Sequence, residues 1–227
     1  MLPHCSGLST ASSLVLRDLS IHSDVQTDIF FCNLTMRRVR VTGAVQVSTQ
    51  MTFDADQSYF EDGGLSIRGT QTIVKVTNSV FKDANIGISA IDQPATQSRF
   101  LFAFNTFVAP TSETVFGPIV DCTSNANWTA SFENNILRGT DDNVVSGTRC
   151  RFSQNILFPQ TTALVGNNPV VDPKFVNAAA GDFRLQAGSP AIDAALPTTG
   201  LNPDHDFEGT ARPQGASPDI GAFERIP

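Results

Sequence analysis

The sequence predicts an all-β solenoid, in which short strands coil around one elongated core. The first observation is a repeated phrase: SFENNIL at 131–137 matches RFSQNIL at 151–157, twenty residues later. The second is an alternation of apolar and polar residues inside each repeat, and the third is the lack of any convincing helical stretch between repeats. Together they indicate a coil that climbs one strand spacing, about 4.8 Å, per turn.

Seven segments of eight residues align on the repeated phrase. Their first, third and last positions are apolar, and the second and fourth are mostly polar. This period of two is typical of strands and not of helices. The segments are 14–21, 34–41, 53–60, 74–81, 101–108, 130–137 and 150–157.

The fifth position of each segment is interpreted as a bend between two strands. Asn tolerates unusual backbone angles and bonds to neighbouring backbone groups, so it suits such a bend. When the turns stack, we expect four of these residues to pass amide hydrogen bonds from turn to turn: Asn78, Asn105, Asn134 and Gln154.

A second set of strands lies between these segments, and the longest connections, 92–99 and 109–117, would wall one side of a groove. The strands are predicted at Ala44–Val47, Leu65–Arg68, Ile86–Ile91, Pro118–Cys122, Asn143–Val145 and Ala163–Val165.

The turn Asn78-Ser79-Val80-Phe81 matches the Asn-(Ser/Thr)-x-Phe pattern of one known family. Residues 14 to about 165 resemble the right-handed parallel β-helix repeat proteins, the pectate-lyase-like superfamily. The resemblance implies a right-handed parallel β-helix of about seven turns over residues 1–167, in agreement with the usual handedness of parallel crossovers. It also implies that the second strand set floors a substrate groove.

The last sixty residues, 168–227, leave the repeat and become rich in Pro and Gly. They resemble the end segment of many bacterial extracellular β-helix proteins in four ordered blocks: Asp172–Phe175, Gly188–Asp193, Asp206–Pro213 and Asp219–Glu224. Because an open solenoid end exposes unpaired strand and core, we expect an irregular C-terminal cap. Six side chains would plug the last turn: Phe175, Phe183, Leu185, Ile192, Ile220 and Phe223.

Composition narrows the classes of function. The 227 residues are 41% hydrophobic, enough for a core, and carry a formal charge of −7. This charge argues against a nucleic-acid partner, which needs a basic face. No stretch approaches the length of a membrane span, and the first residues lack the pattern of a signal peptide. The resemblance nevertheless implies an extracellular or cell-surface location, and the oligomeric state stays open.

Four cysteines occur at positions 5, 32, 122 and 150, and no two of them form a CxxC pair. A zinc site of the usual spacing is therefore not expected. We prefer buried free thiols over disulfides, for which three connectivities exist.

The candidate catalytic residues are Arg68, Asp92 and Asp121, which end second-set strands on three consecutive turns. Two neighbouring carboxylates can divide the acid and base roles of glycoside cleavage. With Arg alongside, they could instead hold a uronate carboxylate or a cation. The alternative is a set of solvated turn residues.

A candidate metal site lies in the C-terminal segment, where carboxylates gather near Gly209. Oxygen-rich clusters suit Ca²⁺, although no cofactor is required by the sequence. The alternative is that such carboxylates cap turns or pair with Arg212. The candidate ligands are Asp204, Asp206, Glu208 and Asp219.

Two further surface features are predicted. Acidic residues at 54, 56, 61 and 62 stack beside Arg37, Arg38 and Arg40 one turn earlier, which predicts a ladder of opposite charges. Phe100, Phe102 and Phe104 point outward in the register above and would stack on sugar rings, unless a loop covers them or the register is locally reversed.

The first hypothesis for function is an extracellular module that binds carbohydrate or cell-surface polysaccharide along a groove. The resemblance makes a polysaccharide lyase or glycoside hydrolase the alternative, although no run reproduces the basic residue beside Ca²⁺-binding carboxylates that such lyases use. A structural surface or adhesion stalk is the third hypothesis.

Overall fold

The computed structural model describes residues 12–26, 32–68, 71–88, 98–109, 118–122, 128–140, 144–160, 166–198 and 201–227. The strands of the coil are β1 (Ser12–Ile21), β2 (Val25–Gln26), β3 (Cys32–Val47), β4 (Thr52–Asp56), β5 (Tyr59–Ile67), β6 (Ile73–Thr77), β7 (Val80–Lys82), β8 (Asn85–Ile88), β9 (Ser98–Ala103), β10 (Thr106–Val108), β11 (Val120–Cys122), β12 (Trp128–Glu133), β13 (Ile136–Arg138), β14 (Val145–Gly147), β15 (Cys150–Ser153) and β16 (Ile156–Phe158). The C-terminal segment adds β17 (Phe175–Asn177), a short 3₁₀ helix (Ala178–Ala180) and β18 (Asp182–Leu185).

The coil is a parallel β-helix, and its described residues make seven turns with three strands in a full turn. All strand pairs in the coil are parallel. The first sheet stacks 14–17, 34–37, β4, β6, β9, β12 and β15. The second sheet stacks 19–21, 39–42, 59–61, β7, β10, β13 and β16. The third sheet stacks β2, 44–47, 64–67, β8, β11 and β14. It overlaps five strands of the predicted second set, although β14 begins at the residue where the predicted strand ends. The predicted positions 89–91, 143 and 163–165 lie outside the described residues.

The bend between the first and second sheets is one residue in the left-handed conformation. The predicted bend residues Asp18, Arg38, Gln57, Asn78, Asn134 and Gln154 all have φ between 45° and 59°. In turn five the prediction is wrong by one residue, because Phe104 takes this place with φ 57° and Asn105 follows it.

An amide ladder runs beside these bends and includes Asn105, as predicted. In the next two turns it uses Asn135 and Asn155, one residue later than predicted. The side-chain oxygen of Asn105 accepts from the backbone N–H of Ser79 at 2.9 Å, and that of Asn135 accepts from Asn105 N–H at 2.8 Å. Asn155 and Asn168 continue the series. The left-handed residue at each bend points its side chain outward, and the residue after it points its side chain inward. The side chains of Asn78, Asn134 and Gln154 are for this reason not part of the ladder.

The core consists of stacked columns of equivalent apolar side chains. Phe60, Phe81 and Phe107 stack with ring centroids 4.6 Å apart. Phe102 and Phe132 stack at 4.6 Å, and Phe152 follows at 4.9 Å. Offset stacking at this spacing stabilises each pair beyond the burial of its area.

Phe100, Phe102 and Phe104 do not form an outward row, because all three side chains are buried. This is the alternative interpretation, in which the row is covered or its register is locally reversed. Strand pairing places Phe100, and not Leu101, opposite Val74 and Ala130. The segment is thus shifted by one residue, and a shift of one residue exchanges the two faces of a strand. Phe104 remains on the outside but is covered by the C-terminal segment, where the Arg212 guanidinium lies 5.0 Å from its ring.

The C-terminal segment packs along the flank of the second sheet across turns three to seven. The six residues predicted to plug the last turn do make apolar contacts. Their partners are not confined to the last turn, however, and include Val80, Ile136 and Ile156 of successive turns. Gln57 donates to the carbonyl of Asp206, and Ala222 N–H donates to the Thr106 hydroxyl. At the last turn, 166–169 extends the coil by pairing with 154–157.

A buried ion pair organises the interior of this segment. Arg212 and Glu224 are 3.1 Å apart, and both side chains are fully buried. Arg212 also donates to the carbonyls of Asp219 and Gly221, and Glu224 accepts from the N–H groups of Gln214 and Asp219. A buried pair needs this many additional hydrogen bonds to offset its loss of hydration.

A disulfide joins Cys122 of the third sheet to Cys150 at the start of β15, with a Cα–Cα distance of 5.8 Å. The expectation of free thiols is wrong for these two residues, since the coil places positions 28 residues apart side by side. The side chains of Cys5 and Cys32 lie outside the described residues.

Candidate functional site

The outer face of the third sheet carries a row of small and polar residues in strict register. Five positions pair in sequence across neighbouring strands: Gln46, Ser66, Gly87, Asp121 and Ser146. Among the described residues, no atom lies within 4 Å of the position that a Cβ at Gly87 would take, so the space above Gly87 is open in this part of the chain. The missing side chain leaves a gap in the row between Ser66 and Asp121, which we call the depression.

Two of the three predicted catalytic residues lie on this face. The Arg68 Nε donates to the Ser66 hydroxyl at 3.1 Å, and the Ser146 hydroxyl donates to Asp121 at 3.1 Å. Ser66 and Asp121 are two strands apart, about 9–10 Å. Asp92 lies outside the described residues, so two of the three predicted residues can be placed on one face.

The predicted ladder of opposite charges is confirmed on the first and second sheets. Arg37 binds Asp54 at 2.8 Å, and Glu61 accepts from both Arg40 and Lys82. The hydrogen bond from Lys82 is the main cause that holds the pKa of Glu61 below its usual range. Since these charges are largely matched among themselves, the ladder is a stabilising surface feature.

A cleft that the sequence did not predict lies between the first sheet and the C-terminal segment. Its volume is about 340 Å³. The floor is formed by outward side chains of β3, β4 and β6, and the wall by five residues of the C-terminal segment. The lining residues are Arg37, Asp56, Lys75, Thr77 and 201–205.

His205 forms the junction of floor and wall. Its Nε2 lies 3.1 Å from the Asp56 carboxylate of β4, and its Nδ1 lies 2.6 Å from the Asp204 carboxylate. Burial alone would lower the pKa of His205, but the two carboxylates outweigh it and raise the pKa above its usual value. Asp56 is itself fixed by hydrogen bonds from Thr77 and Asn78. The ring therefore bridges two carboxylates, most strongly as a cation.

Lys75 differs from the other charged residues that line this cleft, because it has no direct partner among the described residues. Arg37 is paired with Asp54, and Asp56 and Asp204 are both paired with His205. Lys75 has no hydrogen bond or ion pair within the part of the chain that is described. Its alternation with Val74 and Val76 could have marked it as outward, but the sequence gives no signal that residues 201–205 lie beside it.

The four acidic residues predicted to bind Ca²⁺ are not brought together as ligands. Both oxygens of Asp206 accept backbone N–H groups, from Glu208, Thr210 and Glu224. Asp219 accepts from Asp193 and Arg225. Burial is the main reason that the pKa of Asp219 is raised to about 6.

Asp204 is turned towards His205, and Glu208 is exposed. Among the described residues no group of three or more His, Cys, Asp or Glu side chains is placed to hold a metal ion. The hydrogen bonds of Asp206 and Asp219 agree with the alternative interpretation, in which the carboxylates cap turns.

Comparison with known proteins gives a limited result. No helix in the described ranges is long and apolar enough to cross a membrane. No protein-family model and no curated protein matches the sequence. Among solved structures, the crystal structure of pectate lyase Pel9A is similar at 15% identity with a TM-score of 0.48, over 93% of this chain and 59% of that chain. A likeness of this kind carries no information on substrate or reaction.

Proposed function

We propose that this protein is an extracellular β-helix module that binds a polysaccharide along the outer face of its third sheet. The observation that carries the proposal is the in-register polar row with open space above Gly87. A sugar chain needs an elongated surface with donors and acceptors at regular intervals. Stacked strands repeat about every 4.8 Å, so successive turns can meet successive parts of such a chain.

The side chains on this face are suited to hydroxyl and carboxylate groups. Arg68 uses Nε for Ser66, and its two terminal nitrogens have no partner among the described residues. A guanidinium fork of this kind recognises a sugar carboxylate or a pair of hydroxyl groups. Asp121 lies across the depression and supplies acceptors for sugar hydroxyls.

The extracellular location is part of the same proposal. The Cys122–Cys150 disulfide is typical of proteins in oxidising compartments. The resemblance of the C-terminal blocks to those of bacterial extracellular β-helix proteins supports this location, and the net charge of −7 is compatible with it.

The test is a binding screen of neutral and acidic polysaccharides by affinity electrophoresis, followed by calorimetry on any ligand found. Gly87→Tyr should fill the depression without disturbing the strand and should abolish binding. Arg68→Gln should weaken it, whereas Arg184→Gln, which removes an exposed guanidinium from the C-terminal segment, should not. Retention of full affinity by Gly87→Tyr would refute this face as the binding site.

A cleavage reaction is the second candidate function, because Arg68 and Asp121 flank the open position at Gly87. In this case Arg68, Asp92 and Asp121 would be the catalytic residues, with Asp121 or Asp92 taking or giving a proton. Release of reducing ends or absorbance of unsaturated uronates should then appear with wild-type protein and vanish in Asp121→Asn. Binding without either product identifies a binding module, and inertness towards all glycans leaves a structural stalk.

A further inference from the structure

The cleft beside the C-terminal segment lies on the first sheet, a different face from the polar row of the third sheet. Its floor offers Arg37, Asp56, Lys75 and Thr77 on three neighbouring strands. Its volume of about 340 Å³ is within the range of small-molecule sites. Whatever binds here does so independently of the proposed polysaccharide face.

Three positive and three negative side chains surround the cleft when His205 is protonated, and Lys75 is the cation without a direct ion pair among the described residues. The Asp54 carboxylate has the Arg37 guanidinium, and the carboxylates of Asp56 and Asp204 share the ring of His205. This leaves the half-buried ammonium group of Lys75 with three donors and no described acceptor. A partly desolvated ammonium gains most from an anionic acceptor, because ionised acceptors make the strongest hydrogen bonds.

The opposite wall supplies a further donor. The side-chain oxygen of Asn202 accepts from the backbone N–H of Thr198, which leaves its NH₂ group without a described partner. Leu201 and Pro203 add apolar surface next to it. The cleft thus combines an unmatched cation, a neutral donor and an apolar edge.

We propose that this cleft binds an oxyanion, a carboxylate, sulfate or phosphate group on a small molecule, with Lys75 as its counter-charge. The described charges around the site are those of Arg37, Lys75 and protonated His205 against the carboxylates of Asp54, Asp56 and Asp204, so the cleft is neutral when His205 is protonated. A bound negative group would lie against Lys75, the cation that has no ion pair among the described residues. The two wall residues Asn202 and Pro203 would contact the remainder of the ligand.

The experiment is a ¹H–¹⁵N NMR titration of the full chain at fixed pH with sodium phosphate, sulfate and acetate. Sodium chloride at equal ionic strength is the reference. We expect saturable shifts of the amides of Lys75, Thr77, Asn202 and His205 with at least one oxyanion, and only small linear shifts with chloride. Comparing the three oxyanions shows whether the cleft binds a phosphate, a sulfate or a carboxylate group.

Matched variants decide the role of Lys75. Lys75→Met keeps most of the side-chain length and should weaken binding about tenfold or more, whereas Lys174→Met, which removes an exposed lysine elsewhere, should not. Asp204→Asn, which removes an exposed negative charge from the rim, should strengthen binding. Equal shifts with chloride, no saturable shift with any oxyanion, or unchanged affinity in folded Lys75→Met would each overturn the proposal.

Discussion

The side-chain oxygen of Asn135 accepts two hydrogen bonds from Asn105 of the preceding turn, from its backbone N–H at 2.8 Å and from its side-chain amide at 3.0 Å. The Asn135 amide group in turn donates to the Phe102 carbonyl and to Asn155. Every polar atom of this buried side chain therefore serves a neighbouring turn, which makes Asn135 the best place to test the amide ladder.

Asn135→Leu should lower the free energy of unfolding by about 2–4 kcal/mol, because it leaves buried donors and acceptors of turn five and turn seven unsatisfied. Chemical denaturation followed by circular dichroism measures this. The comparison is Asn134→Gly, which keeps the left-handed bend but loses two hydrogen bonds to Leu196, and which should cost less. Equal losses for the two variants would contradict a ladder at the position after the bend.

The bridge from Asp56 through His205 to Asp204 predicts a pH dependence of stability. Because the folded pKa of His205 is raised, its contribution is fully present below the unfolded pKa of about 6.5 and is lost as the pH rises through the folded value. The melting temperature of wild type should thus exceed that of His205→Gln by more at pH 5.5 than at pH 8.5. His22→Gln, at an exposed position in turn one, should show no such trend. A difference for His205→Gln that is constant with pH would show that the bridge does not need the cation.

Two glycines of the third sheet should respond differently to the same substitution. A Cβ at Gly64, where φ is 106°, would lie 2.1 Å from the carbonyl oxygen of Asn85, whereas a Cβ at Gly87 would have no atom of the described residues within 4 Å. Gly64→Ala should therefore cost about 2 kcal/mol or more, and Gly87→Ala should stay within about 0.5 kcal/mol of wild type. Melting temperatures of the two purified variants decide this, and similar values would mean that the close approach at Gly64 relaxes at no cost.

The Cys122–Cys150 disulfide closes a loop with a sequence separation of 28 residues. The double variant Cys122→Ser/Cys150→Ser should lose about 3–4 kcal/mol, mainly because its unfolded chain is less restricted. Denaturation of both proteins without reductant measures the loss, and adding reductant should move wild type towards the variant. A wild-type curve that reductant leaves unchanged, together with a variant of equal stability, would contradict this.

The coil was predictable because strand period and repeat length depend on residues close in sequence. Six of the seven bends are where the pattern places them. Turn five failed for a local reason: 100–104 reads Phe-Leu-Phe-Ala-Phe, an unbroken apolar run in which alternation gives no phase. The pattern therefore places the bend at Asn105, whereas the structure has the bend at Phe104 and uses Asn105 in the ladder.

The cleft could not be predicted, since it depends on two parts of the chain without a common period. Asp56 and His205 are 149 residues apart, and the C-terminal segment has no repeat from which its path could be read. The acidic residues near Gly209 allowed two interpretations for a related reason. A carboxylate that accepts backbone N–H groups and one that binds Ca²⁺ look alike in sequence, and only the fold distinguishes them.

The course of the C-terminal segment has a consequence for how the molecule unfolds. A solenoid couples only adjacent turns, so its ends can unravel one unit at a time. Here the apolar contacts of one segment reach Val80, Phe104, Ile136 and Ile156 in four successive turns. These turns should open together as one cooperative unit in hydrogen exchange, whereas turn one, which depends mainly on its pairing with β3, should exchange earlier and on its own. The price is slow assembly, because the segment cannot dock until turns four to seven are in place.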